Sequence, residues 1–272
     1  MAWLVTALAG AALVALERLP GVRFKRSPLL RPFFVSDAWY LITGYVFGTA
    51  LTVAFVMSAS ATLGSLDVPR LAAVDLPLWL GAVLVVVLLD IGNYVAHWLM
   101  HRYDTLWEFH KAHHSSETLD WLAMFRSHIV EQMLRRLIAP VGLILLGMPA
   151  DAVALGGGFF NAWAMLIHSN LALNLSAIEP LLVTPRLHRA HHAPATTNTN
   201  FGTVLTIWDR LFRGRFVMTE TGPDVRLGVP DEVETYPQGW WPQFREPFRR
   251  LTKSASLDSS TPDKLLPPSV KA

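Results

Sequence analysis

The stretch HWLMHRYDTLWEFHKAHH, residues 97–114, holds five of the ten histidines of this 272-residue chain. His97 and His101 are four residues apart, and His110, His113 and His114 follow the i, i+3, i+4 spacing. Because an α-helix has about 3.6 residues per turn, each set projects its imidazoles from a single helix face. The stretch therefore predicts two helical faces that are able to bind metal.

The other histidines follow within the next eighty residues of the chain. They are His128, His168 and the three histidines of HRAHH, which are His188, His191 and His192. A single HxxxH pair is more often two surface histidines, but ten histidines confined to residues 97–192 have no evident packing role. Neutral imidazole is the commonest metal ligand in proteins, so the whole set predicts a metal centre.

The composition indicates a membrane protein. The chain is 52% hydrophobic and only 16% charged, whereas soluble domains are about 25% charged. It has no cysteine, which excludes disulfides, iron–sulfur clusters and a thiolate nucleophile. The formal net charge of +2 gives no indication of a polyanionic partner such as nucleic acid.

Apolar segments are spaced along the chain as in a multi-pass helical membrane protein. Residues 1–16, 39–59 and 78–96 predict membrane helices, and a cleaved signal peptide is the alternative for the first of them. Residues 137–148 and 152–171 predict the two arms of a hairpin that is either complete or re-entrant. The polar stretch 115–136 predicts one amphipathic helix. The fold class is therefore all-α, with a histidine-rich helical domain at one membrane face.

Charge counts in the loops predict which face this is. The connector at residues 17–38 carries five basic residues, Arg18, Arg23, Lys25, Arg26 and Arg31, whereas the loop at 60–77 has only Arg70. Basic loops stay in the cytoplasm, so the connector is expected inside, and the loop and the N-terminus outside. A returning hairpin then gathers all ten histidines at the cytoplasmic face.

Asp90 interrupts the third apolar segment, two helical turns before His97. An ionisable group at such a depth normally faces the protein interior. Two roles remain open from the sequence. The carboxylate either accepts the second ring N–H of a ligand histidine or makes a hydrogen bond that packs helices together.

The motifs HWLMH, FHKAHH and LHRAHH resemble the fatty acid hydroxylase and sterol desaturase superfamily, whose members are membrane di-iron enzymes that act on lipids. FRSHIVEQ, LIHSN and TPRLHRAHHAPATTNTNFGTVLTIWDRLF resemble that family in the same order, so the likeness covers about residues 80–215. It implies dioxygen as co-substrate and two irons held by the histidines of the three motifs. His168 would be an extra ligand and His128 a further candidate. Asn170 and Asp209, in the same stretches, join Asp90 as candidates for supporting the ligands.

Three classes of function are compatible with these motifs. The first choice is a hydroxylase of a lipid C–H bond, and a desaturase with the same site is the alternative. A metal transporter is less favoured because its ligands would lie near the middle of the membrane helices. A structural zinc protein is also less favoured, because such sites close with four ligands and usually include cysteine.

Electrons for dioxygen chemistry would come from a separate donor protein. The chain has no glycine-rich dinucleotide motif and no cysteine for an iron–sulfur cluster. Basic residues near the HRAHH motif would either dock such a donor or meet anionic lipid headgroups; they are Arg186, Arg189, Arg210, Arg213 and Arg215.

Changes in composition predict four regions along the chain. Residues 1–76 would form N-terminal membrane helices and loops, and residues 77–216 the histidine-motif domain. Residues 217–251 would form a C-terminal cytosolic segment. Residues 252–272, rich in Ser and Pro, would be a disordered tail.

Overall fold

Helices form most of the part of the chain that the computed structural model describes, which is residues 2–25, 28, 30–64, 76–212 and 225–259. Within these ranges the extended structure is limited to the isolated bridges Arg23–Leu171 and Leu182–Leu205. The predicted all-α class is therefore confirmed.

The helices follow one another with short connections. In the first half of the chain they are α1 (Ala2–Leu16), α2 (Phe34–Tyr40), a π-helical segment (Leu41–Val46), α3 (Phe47–Gly64), α4 (Leu78–Arg102) and α5 (Asp104–His114). In the second half they are a 3₁₀ helix (Trp121–Phe125), α6 (Ile129–Ile138), α7 (Val141–Leu146), α8 (Ala150–His168), α9 (Pro185–His191), α10 (Ile207–Leu211) and α11 (Trp240–Ser259).

Among the described residues, three helical stretches are long and apolar enough to cross a membrane. They are Phe34–Ala59, Leu78–Arg102 and Ala150–His168. They coincide with three of the predicted apolar segments, and the chain is a membrane protein. The first predicted segment forms α1, which is apolar but shorter than these three.

The polar stretch 115–136 does not form the single amphipathic helix that was expected. A short 3₁₀ helix begins after Asp120, whose side chain accepts hydrogen bonds from the Leu122 and Ala123 amides. A new helix, α6, begins only after His128, whose ring accepts the Val130 amide. Each cap starts a helix, and between the two helices the backbone is extended at Arg126 and His128.

The predicted hairpin has two unequal arms. The first arm breaks between α6 and α7 at Pro140, which has no N–H to continue the helix. It ends at Gly147, whose left-handed backbone (φ 59°) reverses the chain toward α8. The second arm, α8, is one helix of 19 residues that ends at His168. The hairpin therefore delivers His168 to the end of a membrane-length helix.

Helices α4 and α8 pack closely because small residues line their contact. A Cβ atom added to Gly156 would lie 2.5 Å from the Ala82 carbonyl oxygen, and one added to Gly81 would lie 2.9 Å from the Ala152 methyl group. Without a hydrophobic driving force inside lipid, such close backbone approach is how membrane helices gain contact. This packing sets the ends of α4 and α8 side by side.

The basic connector between α1 and α2 lies against the same end of the helices. The Lys25 amide donates to the Asn170 side chain at 3.2 Å, and Arg31 forms two hydrogen bonds with Asp120, at 2.6 and 2.9 Å. The buried Asp37 links Arg31 to Arg126, at 2.6 and 2.5 Å. The first predicted region is therefore joined to the histidine-bearing region by a buried network of charges.

Helix α11 extends beyond the predicted start of the tail, because it continues to Ser259. Gln243 in this helix bonds Ser115 after α5 and accepts from Tyr40 of α2, at 2.7 and 3.0 Å. Several predicted features lie outside the described residues, among them most of the 60–77 loop, Arg26, Arg213, Arg215 and residues 260–272.

Glu17, which follows α1, provides a test of this packing. Its carboxylate accepts the Trp121 and Asn170 amides at 3.1 and 2.9 Å, and burial raises its pKa from 4.5 to about 7. A raised carboxyl pKa means that the folded state binds the proton more tightly. This contribution to stability is complete below pH 4.5 and is lost as the pH rises through about 7.

Glu17→Gln keeps an acceptor but does not ionise. We therefore expect the unfolding temperature of this variant to depend less on pH than that of wild type, and to be no lower than that of wild type at about pH 8. Glu17→Ala leaves two buried amides without their acceptor and should cost about 1–3 kcal/mol at any pH. Tryptophan fluorescence during heating in detergent measures both. If the unfolding temperature depends equally on pH in wild type and Glu17→Gln, the raised pKa of Glu17 is contradicted.

Candidate metal centre

The sharp bend between α4 and α5 brings the first two histidine motifs together. Tyr103 is extended (φ −112°, ψ 121°) and is the residue at which α4 ends and α5 starts. Helix α5 therefore folds back on the end of α4. The rings of His101 and His110 lie 4.8 Å apart, and those of His101 and His114 lie 4.9 Å apart.

Nine of the ten histidines form two groups. Within each group, the ligand atoms all lie within 4.8 Å of one another. The five-histidine group consists of His97, His101, His110, His114 and His191, and the four-histidine group of His113, His168, His188 and His192. Helices α4, α5, α8 and α9 supply eight of these residues, and His192 directly follows α9. All are buried except His101, which is half-buried. Each group offers enough nitrogen atoms to hold one metal ion.

Backbone carbonyl groups orient several of these rings. In the five-histidine group, Nδ1 of His97 donates to Phe201 O at 2.9 Å and Nδ1 of His191 to Thr199 O at 2.7 Å. In the four-histidine group, Nδ1 of His113 donates to Arg126 O at 3.0 Å, and Nδ1 of His168 to Ala164 O at 2.7 Å. A carbonyl oxygen only accepts, so Nδ1 carries the proton in each of these rings.

The same tautomers leave lone pairs on Nε2 that face one another. Nε2 of His113 lies 3.2 Å from Nε2 of His168, and neither can donate to the other. Nε2 of His97 and of His191 is buried without a hydrogen-bond partner. Burial lowers the pKa of His113 well below its usual range and that of His191 to about 3, so the Nε2 atoms of these rings do not bind a second proton. Facing lone pairs on buried neutral rings fit a bound cation, and a metal that prefers imidazole suits them.

The two groups are in direct contact. The His114 ring of the five-histidine group stacks on the His192 ring of the four-histidine group, with centroids 4.5 Å apart and an angle of 27°. His110 and His113 are stacked at 5.2 Å. Metals held in the two groups would therefore be neighbours that share a single buried site.

Aromatic side chains cover the five-histidine group. The Phe201 ring is buried and lies 4.9 Å from the His101 ring. Trp107 is half-buried, and its ring lies 4.9 Å from His101 and 5.2 Å from His114. Large apolar rings at these distances exclude water from the nitrogen atoms.

His128 does not join either group. Its Nδ1 accepts the Val130 amide at 3.1 Å, and its Nε2 donates to Phe244 O at 3.1 Å. Both ring nitrogens therefore have backbone partners, and Phe109 and Phe244 contact the ring at 4.9 and 5.3 Å. The structure thus gives His128 a role in capping α6 and holding α11 instead of the ligand role that was predicted.

The three predicted supporting residues act on the backbone instead of on the imidazoles. Asp90 accepts the amides of Thr203, Val204 and Leu205 and the Trp208 indole N–H, at 2.8 to 3.3 Å. Both carboxylate oxygens of Asp90 are therefore occupied by residues 203–208, which is closer to the packing alternative than to a direct bond with a ligand histidine.

Asp209 and Asn170 also hold backbone segments. Asp209 accepts the Phe201 and Gly202 amides at 2.8 and 2.9 Å, and so fixes the loop whose carbonyls orient His97 and His191. Asn170 bonds both the amide and the carbonyl of Lys25 in the basic connector. Asp209 therefore supports two candidate ligands indirectly, through the backbone of residues 199–202.

Glu131 is a buried carboxylate beside the histidines that the sequence analysis missed. Its Oε1 lies 3.0 Å from Nδ1 of His110, and both side chains are buried. Glu131 is 21 residues beyond His110 in the sequence, so no helical spacing relates the two. Its position in FRSHIVEQ, within a stretch that resembles the family, was the one available signal.

The arginines proposed for donor docking are not all accessible. Arg189 is only 3% exposed and lies over the Phe24 ring at 4.8 Å, so its predicted surface role is wrong. Arg186 forms an ion pair with the buried Glu179. Arg213 and Arg215 lie outside the described residues.

The fold and the site define a helical membrane protein with two adjoining groups of buried histidines. Comparison with known proteins gives the family: the fatty acid hydroxylase family model matches residues 82–214. The chain belongs to the fatty acid hydroxylase superfamily, as the motifs predicted.

Its relatives are larger proteins. Ornithine lipid hydroxylase OlsE of Rhizobium tropici is 32% identical over 192 residues, which are 70% of this chain and 57% of that protein. Alkylglycerol monooxygenase of Danio rerio is 32% identical over 126 residues, and the human protein 30% over 126, each match covering 45% of this chain and 28% of the relative. The chain thus spans little more than half the length of the first relative and under a third of the others. No solved structure matches it.

The indirect support from Asp209 is testable through metal retention. Asp209→Ala frees the Phe201 and Gly202 amides, which loosens the loop that orients His97 and His191. We expect metal to be bound about 10–100-fold less tightly, the usual cost of losing an outer hydrogen-bond partner. Metal remaining after dialysis against a graded chelator series measures this.

The matched control for Asp209→Ala is Asp151→Ala, in the first turn of α8 and far along the helix from His168. The control is expected to retain metal as the wild type does. Equal retention in the two variants would contradict a supporting role for Asp209.

Proposed function

We propose that the protein is a membrane-bound, dioxygen-dependent hydroxylase of a lipid C–H bond, with one iron in each of the two histidine groups. The observation that carries the proposal is the pair of adjoining groups of buried histidines, in which Nε2 of His97, His113, His168 and His191 has no proton because Nδ1 of each ring donates to a carbonyl. Imidazole suits iron among the metals that activate dioxygen. The names of the relatives, which are hydroxylases and monooxygenases, support oxygen insertion.

The residues of this chain would hold and protect the centre. His97, His113, His168 and His191 present Nε2 because carbonyl groups bind their Nδ1 protons. Iron would supply the activation of dioxygen that no side chain provides. Phe201 and Trp107 exclude water, which would otherwise compete for the reactive centre.

The position of the groups supports a lipid substrate. His97 and His101 lie in the last turns of α4, and His168 ends α8, so the centre is at the end of two membrane-length helices. A lipid tail could remain in the bilayer while its polar part reaches this level. A transporter would instead place its ligands near the middle of the helices.

The reaction requires an external source of electrons. One oxygen atom enters the C–H bond and the other leaves as water, so each turnover consumes two electrons and two protons in addition to dioxygen. We propose that a separate redox protein delivers the electrons. The side chains of the chain offer no such two-electron donor, since it has no cysteine for a thiol or an iron–sulfur cluster.

His191→Ala tests the centre, because it removes a ligand whose orientation is fixed by Thr199. We expect loss of bound iron and of oxygen incorporation in membranes, where wild type transfers one atom of ¹⁸O₂ into a host lipid. Iron per chain and mass spectrometry of lipid extracts measure the two effects. His128→Asn, which keeps a side chain able to cap α6, should retain iron.

Some outcomes would overturn the proposal. Iron retained in full by His191→Ala would remove the assigned ligand set. A wild-type product that gains a double bond and no ¹⁸O would identify a desaturase with the same site.

We also propose that the histidine groups face the cytoplasm. The basic connector between α1 and α2 supports this orientation, because its Lys25 and Arg31 bond residues beside the site and basic loops remain inside. The chain lacks cysteine, so single cysteines can be introduced for labelling.

Glu117→Cys, at an exposed position on the site side, should resist an impermeant thiol reagent in intact cells. Ser65→Cys, between α3 and α4, should react with it. Labelling of both from the same side would contradict this topology.

A further inference from the structure

Helix α11 has two different faces over residues 240–253, the part of it whose side chains the structure describes. One face is exposed and recurs at helical spacing; we call it the α11 stripe, and it consists of Trp241, Arg245, Phe248, Arg249, Thr252 and Lys253. The two aromatic side chains are 53% and 44% exposed, in chain order. The stripe combines these rings with three cations and contains no carboxylate. Such a composition is typical of helices that lie on a membrane surface.

The opposite face of α11 packs on the end of the molecule that carries the histidines. Gln243 is fully buried there, and the Phe244 carbonyl accepts Nε2–H of His128 at 3.1 Å. One turn later the Phe248 ring lies 5.4 Å from the Phe109 ring of α5. This part of α11 therefore stays at the level of the histidine motifs.

The first turn of α11 adjoins a helix that enters the membrane. Trp39 lies near the start of the membrane-length stretch Phe34–Ala59 and is 51% exposed. Its ring is 6.4 Å from that of Trp240, which stacks on Trp241 at 5.9 Å. The exposed aromatic surface of α11 is therefore continuous with the start of a membrane helix.

The middle of α11 adjoins a second apolar surface, on α6. This helix begins after His128, whose ring stacks on Phe244 at 5.3 Å. The exposed side chains of Ile129 and Met133 follow on α6 and line a groove against α3, which belongs to the same membrane-length stretch. The α11 stripe thus lies where two lipid-facing surfaces reach the level of the histidine motifs.

We propose that the α11 stripe binds the surface of an anionic phospholipid bilayer. Trp241 and Phe248 occupy the headgroup layer, and Arg245 and Arg249 bind lipid phosphate groups. The proposal needs only the membrane location of the chain and does not depend on the proposed reaction.

The chemistry of the stripe favours this partner. An amphipathic indole ring is most stable at the boundary between hydrocarbon and water. Arg249 is held in place by two hydrogen bonds to Glu246, yet its side chain remains 62% exposed, and a guanidinium has five N–H groups to share. Each basic side chain near an anionic surface favours the bound state about fivefold. A soluble acidic protein would meet the same charges but would have no use for the adjoining lipid-facing surfaces.

The experiment places a nitroxide label on the full chain, in lipid discs that hold one chain each. The chain has no cysteine, so Thr252→Cys puts one label on the stripe. Thr235→Cys, exposed in the segment before α11, is the matched control. Collisions with dissolved oxygen, which concentrates in lipid, are compared with collisions with a water-soluble nickel chelate.

We expect the label at residue 252 to favour oxygen, and increasingly so as phosphatidylglycerol replaces phosphatidylcholine in the discs. The label at residue 235 should favour the chelate at every composition. In anionic discs, Arg245→Gln should shift the label at residue 252 toward water about fivefold, and by less at high salt.

The control for the loss of charge is Arg226→Gln, because Arg226 is 61% exposed and pairs with Glu234 before α11 begins. This change should leave the label at residue 252 in place. Trp241→Ala should move it toward water in both kinds of disc. All these positions are exposed, so each variant should unfold at the wild-type temperature in detergent; Arg249→Gln replaces Arg245→Gln if that variant does not.

A label at residue 252 that meets the chelate as freely as the label at residue 235 would overturn the proposal. So would an equal effect of Arg226→Gln and Arg245→Gln, or a preference for oxygen that does not depend on phosphatidylglycerol. Protection of the label from both reagents, or only in discs that hold two chains, would assign the stripe to a protein contact instead. A lipid product formed normally under any of these outcomes would leave the proposed function standing.

Discussion

The constraint on which the rest of the structure depends is the close packing of nine imidazoles inside one buried site. Burial lowers the pKa of histidines such as His188 and His192 well below its usual range, and each neighbouring ring opposes a further positive charge. The Nε2 atoms of His113, His168, His188 and His192 lie 2.9 to 3.2 Å from their neighbours in this set, close enough for a single cation to bind them. The helices around the site can therefore be understood by how they hold these rings in place.

One loop, residues 197–206, provides hydrogen-bond partners for several of these rings. The carbonyls of Thr199 and Phe201 orient His191 and His97, and the Thr197 hydroxyl lies 3.2 Å from Nδ1 of His114. Two buried aspartates in turn hold the loop. Asp209 accepts the amides of Phe201 and Gly202, and Asp90 accepts the three amides that follow. A membrane helix thus uses its one deep carboxylate to fix the backbone that orients the metal ligands.

The sequence predicted the features that depend on residue type and spacing. Local sequence patterns predict the motif histidines, the three membrane-length segments and the family. In the structure, the two groups contain the histidines of the three motifs and His168. The acceptors were not predictable, because a backbone carbonyl such as that of Arg126 has no residue signature. Glu131 meets His110 only through the tertiary packing of α5 on α6. His128 was a predicted ligand by residue type alone, and its backbone partners could not be read from the sequence.

The irregular segments of this mainly helical protein are a consequence of its histidines. Within a helix each carbonyl already accepts the amide four residues later, so free acceptors for Nδ1–H are rare there. Of the four carbonyls that orient the rings, those of Arg126, Thr199 and Phe201 lie outside helices. Irregular backbone is costly near a membrane unless protein surrounds it, and here the buried imidazoles satisfy its carbonyls. A straight helix through residues 115–136 would have occupied the Arg126 carbonyl, so the interruption of the expected amphipathic helix leaves this acceptor free for His113.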